Sequence, residues 1–196
     1  LQVGHGVRTA SSSKIFSQGD FQQTGNSLDV AIEGQGFLQV VQPNGEIAYT
    51  RAGNLKTDGD GRLVTTSGFP LEPEIVLPPD TTSITISQDG RVTVTQGETA
   101  ETVELGQLQL AGFANPAGLN PIGKNLYMPT PISGDPILSA PGEGGLGTVA
   151  QGFLEGSNVK VVEEMIGLIV AQRSYETNSR VIQAADEMLQ ATNQMA

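Results

Sequence analysis

SNVKVVEEMIGLIVAQRSYETNSRVIQAADEMLQATNQMA, residues 157–196, decides how the rest of the chain is read. At intervals of seven, one lane of this stretch is Val161, Leu168, Tyr175, Ile182, Leu189 and Ala196, apolar or aromatic throughout. The lane three residues further on holds Glu164, Ala171, Asn178, Ala185 and Thr192, mostly small. A strict seven-residue recurrence keeps one seam turned toward a partner along a supercoiled helix, whereas a 3.6-residue period lets that seam drift around the helix surface. The stretch therefore reads as a coiled-coil helix, with Val161, Leu168, Tyr175, Ile182 and Leu189 as the seam and Ala171 and Ala185 allowing close packing beside it.

Local signals agree. Ser157 or Asn158 is placed to cap the first turn, Glu163 and Glu164 sit near its positive end, and no proline follows Val159. Gly167 costs about 1 kcal/mol relative to alanine in a helix interior; with Ala171 and Ser174 nearby, it offers close approach to a neighbouring backbone. At 1.5 Å per residue the stretch spans about 58 Å, longer than the diameter of a small domain. The globular part of the chain cannot cover it. Its seam is expected to be completed by another chain or by a helix absent from this one, and without that partner the helix is expected to fray, to be disordered or to pair with a neighbour.

The remainder reads as β. Residues 1–27 are polar with isolated apolar positions and no helical period, an extended arm or linker. A β-rich domain is expected over 28–114. LDVAIEGQGFLQVV (28–41) clusters apolar residues as strands do, and the Asn44-Gly45 pair predicts a hairpin into a strand at Ile47–Arg51. A short strand follows at Arg62–Thr66. SITISQDGRVTVTQ (83–96) is the clearest hairpin, with Ile84 and Ile86 mirroring Val92 and Val94 across Asp89-Gly90. One further strand is expected over Val103–Phe113. Short strands with turn residues every eight to twelve positions argue for a small barrel or sandwich. Residues 115–156, dense in proline and glycine, read as a return arm crossing the surface beside the first. Arms at both ends of the domain would leave it on the same side.

Ten basic against 21 acidic residues give a net charge of -11, and no dense Lys/Arg cluster occurs, which argues against binding nucleic acid or anionic lipid by charge. The absence of cysteine removes disulfides and thiolate metal sites. No apolar run is long enough to insert in a membrane, and no signal-peptide pattern is present. The chain begins at Leu1, so a preceding segment is expected.

His5 is the only histidine, which removes the usual serine or cysteine triad and a His-based metal centre. Gly34-Gln35-Gly36 lies between strands with no following helix, so it reads as a turn or bulge, not a nucleotide loop. Asp58-Gly59-Asp60-Gly61 invites calcium, but Phe69 stands where an EF-hand needs its last acid, and a plain turn is favoured. Glu163-Glu164 and Asp186-Glu187 are adjacent pairs on a helix pointing different ways, as solvated faces do. No catalytic, cofactor-binding or metal site is assigned, and an enzyme is not expected. With three tyrosines and no tryptophan, the rival reading of a secreted module that binds sugar or peptide lacks a stacking platform.

The runs TGNSLDVAIEGQGFLQV (24–40), YTRAGNLKTDGDGRLVTTSGFPL (49–71) and EGSNVKVVEEMIGLIVAQRSYETNSRVIQAADEMLQ (155–190) resemble the axial proteins of the bacterial flagellum, the rod and hook subunits. The resemblance spans nearly the whole chain and is nearest to the distal rod subunits, with the proximal rod and hook types as alternatives. It implies a structural subunit exported unfolded through the flagellar type III pathway. Such subunits polymerise into a hollow helical shaft that carries torque across the periplasm. It also implies terminal helices paired as a coiled coil in the inner tube and a β domain outside. The implied partners are further copies of the chain, other rod and hook subunits, and the surrounding basal-body rings.

Overall fold

The structure is a computed structural model that describes residues 8, 13–97 and 101–194. It divides into two units, residues 1–156 and 157–196. His5, most of the first twelve residues and Ala196 lie outside the described residues.

The first unit is built of short strands. An arm strand β1 (Phe21–Gln23) precedes β2 (Val30–Glu33), β3 (Phe37–Val41) and β4 (Ile47–Thr50), followed by β5 (Leu55–Thr57), β6 (Leu63–Thr65) and β7 (Leu71–Glu72). Next come β8 (Thr81–Ile86), β9 (Arg91–Gln96), β10 (Glu101–Gln107) and β11 (Leu110–Gly112). The last strands are β12 (Asn120–Gly123), β13 (Leu126–Met128), β14 (Ile137–Ser139), β15 (Thr148–Gln151) and β16 (Phe153–Glu155). Seven of them form one sheet in the order β12-β13-β4-β3-β11-β14, with β7 also on β3; β10-β9-β8 form a second, and β1-β16, β2-β15 and β5-β6 are paired ribbons. None of these sheets closes into a barrel.

Both faces of the large sheet are covered, and the two-residue period of a strand divides the side chains between them. Leu38, Val40, Ala48 and Leu110 face the main core, where they meet Ile32, Leu55, Leu63, Leu71, Ile75, Val92, Val94 and Val149. Phe37, Tyr49 and Ala111 pack with Phe113 and Leu119, and Phe16 of the arm covers them. The rings meet edge-on: Tyr49 and Phe113 at 4.9 Å, Phe16 and Phe37 at 5.6 Å. Such pairs add roughly 0.5–1.5 kcal/mol beyond the area they bury.

Both expected hairpins form, with Val41 opposite Ile47 and Ile86 opposite Val92. At the turn between β2 and β3, Gly34 and Gly36 have φ of 114° and 141°, which side-chain-bearing residues rarely adopt.

Two expectations need correction. Val103–Phe113 is not one strand: β10 pairs with β9, then the chain steps across at Leu108, whose amide bonds Gly90 O at 2.8 Å, and β11 joins the large sheet. Leu108 and Leu110 are both buried, so the apolar pattern runs unbroken through the step. Residues 115–156 are woven into the body, not laid across it. β13 pairs with β4, β14 with β11 and β15 with β2, while Pro121, which cannot donate to a ladder, sits on the edge strand β12. The two arms do run side by side, Phe21 opposite Glu155 and Gln23 opposite Phe153.

The Asp58–Gly61 turn is held by its own arginine. Asp58 accepts from the Asp60 amide at 3.0 Å, the Arg62 amide at 2.9 Å and Arg62 Nε at 2.8 Å. Partial desolvation pushes the Asp58 carboxyl up, but these bonds and the Arg62 charge outweigh it and hold the group below the usual carboxylate range. Asp89 is also held low, chiefly by the Ser87 hydroxyl, against partial desolvation and with help from the Arg91 amide and charge. Both groups bind protons more weakly folded than unfolded, so their contribution to stability is present above about pH 4 and is lost as pH falls through their lowered folded values. The urea midpoint of the full chain is expected to drop on acidification below about pH 4, less steeply in Asp58→Asn. Equal acid slopes in parent and variant would rule Asp58 out.

The second unit is one helix, α1 (Val161–Gln194). It is continuous, against the expectation that it frays without a partner. It contains no helix-breaking proline, and the Ser174 and Thr177 hydroxyls bond back to Val170 O at 2.9 Å and Arg173 O at 2.8 Å, so neither needs an outside partner. Ser157 does not cap the first turn. Because α1 starts at Val161, Ser157 instead closes the preceding turn, accepting the Val159 amide at 3.2 Å.

Candidate assembly surface

At 1.5 Å per residue, the 34 residues of α1 extend about 51 Å. Every described side chain through Ala191 is exposed apart from half-buried Ser179. Within the seam, Val161 is 67%, Leu168 59%, Tyr175 78% and Ile182 62% exposed. Ala171 and Ala185 are exposed as well, and the Leu189 side chain lies outside the described residues. An added Cβ at Gly167 would meet nothing within 4 Å, so no packing among the described residues requires glycine there.

The seven-residue lane is not the whole apolar surface. Val162, Met165, Ile166, Ile169 and Val170 are exposed too, and at 100° per residue they widen the apolar arc of the first three turns to about 200°. Past Arg173 the arc narrows to Tyr175, Val181, Ile182 and Met188. The signal was available in the i, i+4, i+7 spacing of Val162, Ile166 and Ile169, which a search at period seven passes over. A two-stranded seam covers one stripe; an apolar arc of more than half a turn needs neighbours on two sides.

A second cluster, entirely within the first unit, lies where the paired arms meet the β body. Arg51 follows the end of β4. Its guanidinium donates to Gly34 O and Gly36 O at 3.1 Å and to Ile32 O at 3.4 Å, stands 5.9 Å above the Phe37 ring, and pairs with Glu155 Oε2 at 2.8 Å. The other Glu155 oxygen accepts the Gly19 amide at 3.1 Å. Gln18 completes the cluster, donating to Ile32 O at 2.7 Å and accepting the Gly34 amide at 3.2 Å. Arg51 belongs to the YTRAGN run, but neither its charge nor its spacing marks it in the sequence as a junction, because Glu155 is 104 residues away.

The recess beside this cluster, about 210 Å³ and lined by Phe16, Phe37, Phe113 and Ile137, has Arg51 as its one charged side chain, and Glu155 already engages it. Among the described residues no group of three His, Cys, Asp or Glu could hold a metal ion, and no helix is long and apolar enough to cross a membrane.

Two family models match the chain: the flagellar hook protein FlgE/F/G D1 domain over residues 31–94, and the flagellar basal body rod FlgEFG protein C-terminal region over residues 150–195. The chain is similar to the flagellar basal-body rod protein FlgG of Buchnera aphidicola subsp. Schizaphis graminum, 49% identical over 196 residues, covering 100% of this chain and 75% of that protein. It is similar to FlgG of Borreliella burgdorferi at 47%, covering 99% and 74%, and to FlgG of Caulobacter vibrioides at 47%, covering 100% and 74%.

Proposed function

From its membership of the FlgG family of flagellar basal-body rod proteins, a structural subunit of the distal rod, we propose that this chain polymerises with copies of itself through α1 into a hollow helical shaft. The observation that carries this reading is the exposure of Leu168, Tyr175 and Ile182 along α1, with the wider apolar arc of its first turns. Each large apolar side chain buried there is worth about 1.5–3 kcal/mol. An open helical filament repeats one head-to-tail contact at every subunit, so a modest energy per seam is multiplied along the shaft.

The broad first half of α1 takes two neighbouring helices and the narrower second half takes one. The β unit lies outside and makes lateral contacts that resist twisting. The shaft joins other rod and hook subunits within the surrounding basal-body rings and carries torque across the periplasm. Its subunits arrive unfolded through the flagellar type III pathway, and they work by packing, not by catalysis.

Electron microscopy of assembled full-length subunits tests this reading. The expected map has α1 in the inner wall with Leu168 and Ile182 against helices of other subunits. A map with α1 on the outer surface, its seam in solvent, would overturn it.

A further inference from the structure

Two-stranded ribbons are marginal in water, and β1 with β16 is such a ribbon, three residues a side, with all three residues of β1 exposed and those of β16 half-buried. Its backbone pairing is too short to fix its direction. β16 is half-buried, and the Gly152 amide just before it bonds Asp29 O at 2.7 Å; the rest of what holds the ribbon is polar and comes from the body. Glu155, the last residue of β16, carries a side chain only 11% exposed, and that of Arg51 opposite is 17% exposed. A guanidinium presents several donors in one rigid plane, and here they serve one carboxylate, the Ile32 carbonyl of β2 and two carbonyls of the β2–β3 turn at once. Through Glu155 the contact passes to the Gly19 amide of the other arm, and Gln18 bonds β2 at Ile32 O and the turn at the Gly34 amide through the two ends of its own amide. The Gly156 amide, donating to Asp20 O at 2.8 Å, closes the loop between the arms.

We propose that Arg51 is a positioning residue that locks the paired arms onto the β body, so that residues 18–23 and 153–156 move with it as one piece. Load entering the first unit at Gly156 then reaches the large sheet through Glu155 and Arg51, not through the ribbon alone. That mechanical consequence rests on the rod reading above. The lock itself does not, and it can fail or stand independently of assembly.

Hydrogen exchange on the full chain, comparing parent, Arg51→Gln, Arg51→Lys and Glu155→Gln, tests the lock. In Arg51→Gln, amides at Gly19, Gln22, Leu154 and Gly156 are expected to exchange about 10-fold faster or more, as local opening does, while those of β3, β4, β8 and β9 stay within about 2-fold of the parent. Glu155→Gln keeps an acceptor for Gly19 but loses the charge, and is expected to fall between. Lysine keeps the charge but gathers its donors on one nitrogen, and is expected to restore less than half of the protection. Unchanged exchange in the arms would overturn the proposal. So would loosening of arms and body together, because Arg51 would then be a determinant of the fold and not of the junction.

Discussion

Leu168→Asp and Ile182→Asp are each expected to abolish rod assembly and motility while leaving the β unit folded. Both side chains are more than half exposed in the single chain, so a carboxylate costs the monomer little. In the assembled seam the same substitution loses about 1.5–3 kcal/mol of apolar burial and adds the larger cost of an unpaired charge removed from water. Because every 1.4 kcal/mol is a tenfold change in an equilibrium constant, and the contact recurs at every subunit, the loss of polymer is expected to be complete. Purified variants should keep the parent's urea midpoint. Motile cells carrying either variant would refute the seam.

The opposite separation is expected at Gly53, between β4 and β5. A Cβ there would stand 1.7 Å from Val30 O and 2.8 Å from Val30 C, backbone atoms that cannot step aside. The carbonyl of Gly53 also accepts the Val30 amide at 2.9 Å, so a shift of this segment breaks the contact that seats β2. Gly53→Ala is expected to cost about 3 kcal/mol or more, the upper end of overpacking effects. Gly59→Ala serves as control, because an added Cβ there meets nothing within 4 Å. The urea midpoints of the two variants decide it. A Gly53→Ala midpoint equal to that of Gly59→Ala would show that the body yields at this point.

What could be read from residues alone follows from the range of each signal. Asn44-Gly45 and Asp89-Gly90 specify turns within four residues, and both hairpins form. The helical period of residues 161–194 is equally local, and α1 occupies that stretch. The step at Leu108 was hidden because both strands it joins need apolar residues, and alternation carries no mark of which sheet a strand enters. The weaving of residues 115–156 was hidden for another reason. Proline and glycine there signal turns, but β13 finds β4, and β15 finds β2, across many intervening residues. Arg51 is the extreme case. Its partner Glu155 is fixed only once arms and body are in place, so nothing in the run around it distinguishes a junction from a solvated arginine.

Residues 1–196 contain no cysteine, so Leu168→Cys and Tyr175→Cys each place one thiol on the seam. Maleimide labelling in purified rods, with the same rods dissociated as the control, measures whether that seam is covered by other subunits. The expected result is strong protection of both positions in rods and full labelling after dissociation. Labelling at equal rates in both states would contradict the account.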